Sequence, residues 1–284
     1  MMIELPNKDI SPGLYLCATP IGNLGDITLR ALSLLFCADA IYAEDTRNTL
    51  KLLNHYGIKK PIISCHEHNE RIRGAEIAEK IAAGYVIVYV SDAGMPGISD
   101  PGRILIEECV KKGVFYTVIP GASAAATAHV LSGLSDTYRF EGFLPRDNGA
   151  RIKRINALRF DECCLIFYES PLRVAALMLE LYELLGDRDA SLVREITKLH
   201  ESVVSGTLKS LYEKFSAQPP KGECVLVVAG AKDEELTGTE DIDMLLRRLL
   251  DSGYSARDAA KEAARLMGIP KNDAYRLALD IIGK

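Results

Sequence analysis

The 284-residue chain carries 34 Lys and Arg against 39 Asp and Glu, a net charge of −5; this excludes a protein that coats nucleic acid through global charge and leaves only a local basic face. Apolar residues make up 48% and Trp is absent, an ordinary globular composition able to bury a sizeable core in two domains plus a small appendage. No apolar run approaches the roughly 18 residues of a membrane span, and Met1 to Asp9 holds no basic region leading an apolar one, so neither insertion nor export is expected.

Residues 13–18 read as a strand running into Thr19-Pro-Ile-Gly-Asn-Leu-Gly-Asp26, a loop of turn formers. A helical face of Leu29, Leu32, Leu35 and Phe36 follows, then a strand at 40–43 with Glu44-Asp-Thr-Arg-Asn48 at its carboxyl end. Leu50, Leu52 and Leu53 mark the next helix, 61–64 a strand, 72–83 a helix and 86–90 a fully apolar strand. From Ser91 the chain changes character. Gly94, Gly97 and Gly102 with Pro96 and Pro101 forbid a regular element and let backbone approach a ligand. Asp100 and Pro101 read as N-cap and first residue of a helix to Lys112. A strand at 114–119 leads into Pro120-Gly-Ala-Ser-Ala124, where small residues open a helix suited to an anion or simply to tight packing. Strands and helices thus alternate, the pattern of a parallel, doubly wound α/β sheet. Its glycine-bearing loops leave the carboxyl ends of strands and should converge on one edge. They carry few ionisable side chains, so their grip is mainly main-chain, which suits a cofactor bringing its own reactivity.

After Thr137 the pattern shifts. Residues 138–146 are strand-like, and 148–160 are helical, with Arg146, Arg151, Lys153, Arg154 and Arg159 against only Asp147. This is either a phosphate-contacting face or a solvated helix surface; Phe140 and Phe143 beside it are either core or base-stacking rings. Strands at 163–168, 190–194, 201–205 and 223–229, with helices after Glu169-Ser-Pro-Leu-Arg173 and near 208–215, suggest a second α/β domain with antiparallel pairing. Residues 233–241 read as a linker, and helices from 242, 255 and 272 form a compact tail. Eight Lys and Arg there balance eight Asp and Glu from Glu240 on, which fits an RNA-touching helix-turn-helix or a packing or dimerisation appendage. The domains are therefore placed at 1–121, 122–232 and 240–284. Seven cysteines, an odd number without C-x-x-C, read as buried thiols of a reducing cytoplasm. No phosphate-loop or dinucleotide fingerprint occurs, and His66-Glu-His68 lacks further ligands at useful spacing, so no metal is expected.

Leu16-Cys-Ala-Thr-Pro-Ile-Gly-Asn-Leu-Gly-Asp-Ile-Thr28, Ala43-Glu-Asp-Thr-Arg47, Val90-Ser-Asp-Ala-Gly-Met-Pro-Gly-Ile-Ser-Asp-Pro-Gly102 and Ile119-Pro-Gly-Ala-Ser123 closely resemble the ribosomal-RNA-modifying branch of the tetrapyrrole methylase superfamily. The likeness continues through Phe140-Glu-Gly-Phe-Leu-Pro145, Phe167-Tyr-Glu-Ser-Pro-Leu-Arg173, Arg194-Glu-Ile-Thr-Lys-Leu-His-Glu201 and Gly222-Glu-Cys-Val-Leu-Val-Val228. Arg103 stands where an aromatic is usual in that family, and Leu172 where a histidine is common.

The resemblance implies S-adenosyl-L-methionine-dependent 2′-O-methylation of a cytidine ribose in the decoding region of 16S rRNA in the 30S subunit. It also implies two α/β domains with the cofactor in the cleft between them, a small helical C-terminal domain and a homodimer. Carried over by motif, Pro20, Ile21, Gly22, Asn23, Asp92, Ala93, Gly94, Met95, Pro96, Gly97, Ser99, Pro120, Gly121, Ser123 and Ala124 line the cofactor pocket, with Tyr168 and Arg194 closing it. Arg47, Arg146, Arg151, Lys153 and Arg154 are the RNA-phosphate candidates. A ribose hydroxyl needs a general base. Asp45, beside Glu44, and Glu169 are the candidates; helix N-cap and turn former are the competing roles. Rival readings are a small-molecule tetrapyrrole methylase, a methylase of a modified histidine in a translation factor, and a non-catalytic RNA-binding assembly factor.

Overall fold

The computed structural model describes residues 10–232, 242–267 and 269–283, so the linker expected at 233–241 lies outside the described residues. Two compact units emerge: residues up to Val130 with Arg194–Ser202, and Leu131–Val193 with residues from Val203 onward.

The first unit alternates β1 (Gly13–Cys17), α1 (Leu29–Cys37), β2 (Ala40–Ala43), α2 (Thr46–His55), β3 (Ile62–Ser64), α3 (Glu70–Ala82), β4 (Val86–Val90), α4 (Arg103–Lys112), β5 (Tyr116–Ile119) and α5 (Ala124–Ser132). Its sheet has the order β3-β2-β4-β1-β5, and all four pairings are parallel. β1, β2 and β4 are buried at every position because both faces are covered. The period of two separates the side chains. Tyr15, Cys17, Ile41, Val88 and Val90 pack with Leu32 and Leu35 of α1 on one face. Leu14, Leu16, Tyr42, Ile87 and Tyr89 pack with Ile77 and Ile81 of α3 and Leu105 of α4 on the other. Each fully buried Leu or Ile side chain contributes roughly 1.5–3 kcal/mol. α1 and α2 start where short polar side chains satisfy free amides: Thr28 accepts from the N–H of Ala31, Asp45 from that of Arg47.

The second unit holds β6 (Tyr138–Gly142), α6 (Asn148–Asn156), β7 (Cys164–Glu169), α7 (Val174–Leu185), β8 (Asp189–Arg194), β9 (Ser202–Thr207), α8 (Leu208–Ala217) and β10 (Cys224–Val228). The sheet runs β6-β7-β10-β8-β9 and is mixed: β6 and β7 are parallel, β7 and β10 antiparallel. The expected antiparallel pairing is found between β7 and β10, while the connection through α6 supplies the length that the parallel pair β6–β7 needs. Leu165, Phe167, Leu177, Leu181, Leu192, Leu211 and Leu226 anchor the core.

Three helices, α9 (Ile242–Asp251), α10 (Ala256–Met267) and α11 (Lys271–Ile282), close on Leu245, Leu246 and Leu249 against Ala259, Ala260, Ala263, Ala274 and Ala278, whose small side chains permit close helix approach. By its contacts the tail groups with the second unit. Phe160 packs into its core and Asn156 Nδ2 donates to Ser252 Oγ at 3.2 Å. The first unit also extends past residue 121 to Val130, because the loop entering α5 is held against the end of β1. Among the described residues no helix is long and apolar enough to cross a membrane. Cys17, Cys65, Cys109, Cys164 and Cys224 are buried free thiols, whereas Cys37 is exposed.

Candidate functional site

β4, β1 and β5 are adjacent and parallel, so their carboxyl ends, and the loops that leave them, share one edge. The loops touch. Thr19 N–H donates to Gly94 O at 2.9 Å and Gly94 N–H to Thr19 O at 3.0 Å. Gly94 has φ +76°, and a Cβ there would meet Ile21 Cγ2 at 3.2 Å and Ala122 O at 3.6 Å; a side chain is excluded by conformation and by space. A Cβ on Gly121 would stand 2.8 Å from Ala18 Cβ, so the third loop depends on close backbone approach to β1. Pro20–Asn23, Asp92–Gly97, Ser99 and Pro120–Ala124 are thus brought to one rim. Ala93, Gly97, Ser99, Pro120 and Gly121 are exposed there, and Ser99 holds the unusual φ of 62°. Tyr168 belongs to the other unit, on β7. Arg194 opens a segment that groups with the first unit, and Gly22 sits so close to it that a Cβ would meet Lys198 Cγ at 2.6 Å. Glu195 and Thr197 in that segment have φ of 50° and 67°, a strained stretch that nothing in the sequence marks, since neither is glycine.

Carboxylates border this rim. Glu44 Oε2 accepts the N–H of Asp92 at 3.3 Å, and Asp92 Oδ1 accepts the N–H of Asp45 at 3.0 Å. These bonds tie the end of β2 to the end of β4. Asp45 caps α2 and also takes the Arg47 guanidinium, with Nη2 at 2.6 Å from Oδ2. Arg47 holds its carboxyl down to about 2, so Asp45 is a weak proton acceptor. Burial raises Glu44, with Asp92 and Asp45 adding repulsion. Asp100 is pushed up to about 6 by burial and then by Glu44 and Asp92. Glu169 is buried; its Oε1 accepts the Ser170 N–H at 2.7 Å and its Oε2 pairs with Arg173 at 3.1 Å, the turn-forming role. Glu44 and Asp100 both combine partial burial with a raised pKa, the combination that suits a base, and Glu44 stands at the end of β2 with its carboxylate on the Asp92 N–H. Several carboxylates beside main-chain dipoles also suit a cationic ligand.

Asp100 does not cap α4, contrary to the sequence expectation. Glu70, at the start of α3 and 4% exposed, does so from outside the loop: its Oε1 accepts the N–H of Gly102 at 2.6 Å and of Ile104 at 3.1 Å. The helix starts at Arg103 because Gly102, at φ 145°, turns the chain. Asp100 is released to the rim. Beside it lies a cleft of about 180 Å³ lined by Thr19, Pro20, Asn48, Lys51, Ser91 and Asp92. That is below the roughly 300 Å³ of a pocket for a drug-sized ligand, so this cleft alone cannot enclose one.

In the second unit the basic run is largely committed to the fold. Arg151 pairs with Glu180 at 2.6 Å and donates to the carbonyls of Pro145 and Arg146 at 3.4 and 3.1 Å. Arg154 grips Glu141 through two bonds of 2.6 and 2.8 Å. Lys153 lies 4.8 Å from the Tyr254 ring centroid. Arg146 is exposed, and among the described residues its side chain has no ion-pair partner. Sequence could not separate these roles, because the acidic partners lie 13 to 29 positions away. His66 and His68 stack edge to face, 5.8 Å apart, and among the described residues no group of His, Cys, Asp and Glu could hold a metal.

A family model described as Tetrapyrrole (Corrin/Porphyrin) Methylases matches residues 13–212, and one described as the RsmI C-terminal HTH domain matches 237–281. A Synechocystis protein named ribosomal RNA small subunit methyltransferase I is 42% identical over 272 residues, covering 94% of this chain and 98% of that one. A Bacillus subtilis protein of the same name is 38% identical, covering 92% of each. Among solved structures, diphthine synthase superposes with a TM-score of 0.62 at 17% identity, covering 78% of this chain and 92% of that one. The methyltransferase CobJ gives 0.58 at 19%, covering 78% and 95%. These last likenesses concern the fold.

Proposed function

The chain belongs to the tetrapyrrole (corrin/porphyrin) methylase family, and from that premise we propose that it transfers a methyl group from S-adenosylmethionine to the 2′-oxygen of a cytidine ribose in the decoding region of 16S rRNA, on the 30S subunit. The observation that carries the reading is the meeting of the Thr19, Gly94 and Gly121 loops at one sheet edge, bordered by carboxylates. The relatives named ribosomal RNA small subunit methyltransferase I, alike over nearly the whole chain, support the RNA substrate.

The residues present fit such a donor. Exposed main chain at Gly22, Asn23, Ala93, Gly97, Pro120 and Gly121 would hold its polar edges, while Asp92 and Asp100 would face its positive charge. The donor supplies an already activated methyl group when bound. The chain must then align a ribose oxygen and exclude water, and alignment alone can be worth about 7 kcal/mol or more. Glu44 accepts the hydroxyl proton, its partial burial keeping the carboxylate basic. A dimer of this chain is part of the reading, supported by the edge strand β5, whose Tyr116 and Val118 are exposed along with Val130 on α5. Buried free thiols fit the reducing cytoplasm in which 30S subunits reside.

The test incubates the protein with labelled S-adenosylmethionine and unmodified 30S subunits and maps the product by mass spectrometry. A single ribose methyl on cytidine is expected. Label on a base, on protein, or nowhere refutes the assignment.

A further inference from the structure

We infer that the second unit carries a preformed nucleotide seat, in which Phe143 stacks on an unpaired nucleobase of the RNA and Arg146 takes the adjoining phosphate. The inference rests on the RNA reading above and extends it to how the substrate is held. In a regular strand, residues 140 and 143 would face opposite sides of the sheet. They do not, because the pairing of β6 with β7 jumps from Phe140↔Ile166 to Gly142↔Phe167. Two residues oppose one, a bulge that re-aims the side chains beyond it, and Gly142 accommodates the turn at φ 63°. Phe140 and Phe143 consequently both meet the Tyr168 ring edge to face, with centroids 4.9 and 5.6 Å away.

Edge contact leaves a ring face open, and Phe143 is 64% exposed. A large aromatic held rigidly and left open beside a cation is the arrangement that binds single-stranded nucleic acid: stacking for the base, charge for the backbone. The cation is Arg146, three residues on and exposed. The loop between them is not free to drift. Arg151 clamps the carbonyls of Pro145 and Arg146 and the side chain of Asn148, and is itself anchored to Glu180 on α7. Arg151 is therefore a positioning residue, holding the stacking ring and the phosphate-binding side chain in register. The arginine fork is needed for this; a lysine cannot reach all four acceptors from one plane.

The experiment uses the full chain and two probes: a fluorescein-labelled octacytidylate read by anisotropy, and unmodified 30S subunits read by methyl incorporation. Donor affinity is measured separately by calorimetry. Phe143→Leu, which keeps apolar bulk but removes the π face, should weaken octacytidylate binding by about 5- to 100-fold and raise KM for 30S with kcat little changed. Phe143→Trp should restore both. Arg146→Ala should lower the salt dependence of octacytidylate binding by about one counterion. Arg151→Lys should weaken binding without reducing the salt dependence by as much as Arg146→Ala. Equal affinity of Phe143→Leu and wild type overturns the proposal, as does equal loss in the Leu and Trp variants, which would mean a shape contact. Loss of donor affinity in Phe143→Leu would assign the ring to the donor's adenine and overturn it too. Wild-type protein that methylates no 30S refutes the assigned function instead, while octacytidylate binding still decides the seat.

Discussion

Removing the Glu70 side chain tests how the loop between β4 and α4, proposed above to hold the donor, is built. Its Oε1 alone accepts both capping amides, Gly102 at 2.6 Å and Ile104 at 3.1 Å, at a position 4% exposed. Hydrogen bonds to a charged group contribute about 1.5–3 kcal/mol each, and the two share one oxygen, so they do not add fully. Glu70→Ala should cost about 3 kcal/mol. Glu70→Gln keeps an oxygen acceptor in the same place and loses only the charge, so it should cost about 1 kcal/mol, the difference between a charged and a neutral acceptor. In a domain of this size that corresponds to roughly 6–12 °C and 2–4 °C off the first thermal transition. Amide hydrogen exchange reports the local event directly: Gly102 and Ile104 should lose protection in the Ala variant and keep most of it in the Gln variant. Donor affinity measured by calorimetry should follow the same order, since Gly97 N–H is tied to Pro101 O in the same segment. A Gln variant as damaged as the Ala variant, or unchanged exchange at Gly102 in the Ala variant, would refute the reasoning.

Asp100, at about 6 in the fold against an ordinary 3.8, is neutral in acid and charged above that value. Affinity for a cationic donor should rise as pH passes through about 6, and Asp100→Asn should flatten that rise in calorimetry between pH 5 and 8. The linkage sign for stability is the reverse. A raised carboxyl favours the fold below the unfolded value, and that advantage is lost as pH rises through the folded one, so the Asn variant should be more stable than wild type at pH 8. Glu76 shows the opposite case: its contact with Lys80, aided by Arg73 and Tyr42, holds it down to about 2. Its contribution, on the order of 1 kcal/mol after solvent screening, is present above the ordinary 4.5 and should fade as pH falls through about 2, visible as an acid destabilisation that Glu76→Gln abolishes. Gly121→Ala, with its Cβ 2.8 Å from that of Ala18, should push the loop off β1, cost about 1–3 kcal/mol and lower donor affinity about tenfold or more; unchanged affinity would remove that loop from the site.

The order of strands and helices in the first unit was legible because burial on both faces demands continuous apolar runs, and Val86 to Val90 or Gly13 to Cys17 can be little else. The glycine loops were legible for the converse reason: Gly94 and Gly121 announce backbone that a side chain would obstruct. Local chemistry also offered the N-cap as the competing role for Asp45, the role it fills in the fold, since an N-cap and its amide lie two residues apart. What depended on residues distant in the chain was not legible. Glu70 lies 32 positions before the amide it caps, so Asp100, nearer at hand, was the natural but incorrect choice. The same distance hid Glu141 and Glu180 as the partners that commit Arg154 and Arg151 to the fold, and left Arg146 to stand for the basic face. Periodicity sees neighbours along one element, whereas caps, clamps and pKa shifts arise between elements, and those contacts exist only once the chain has packed.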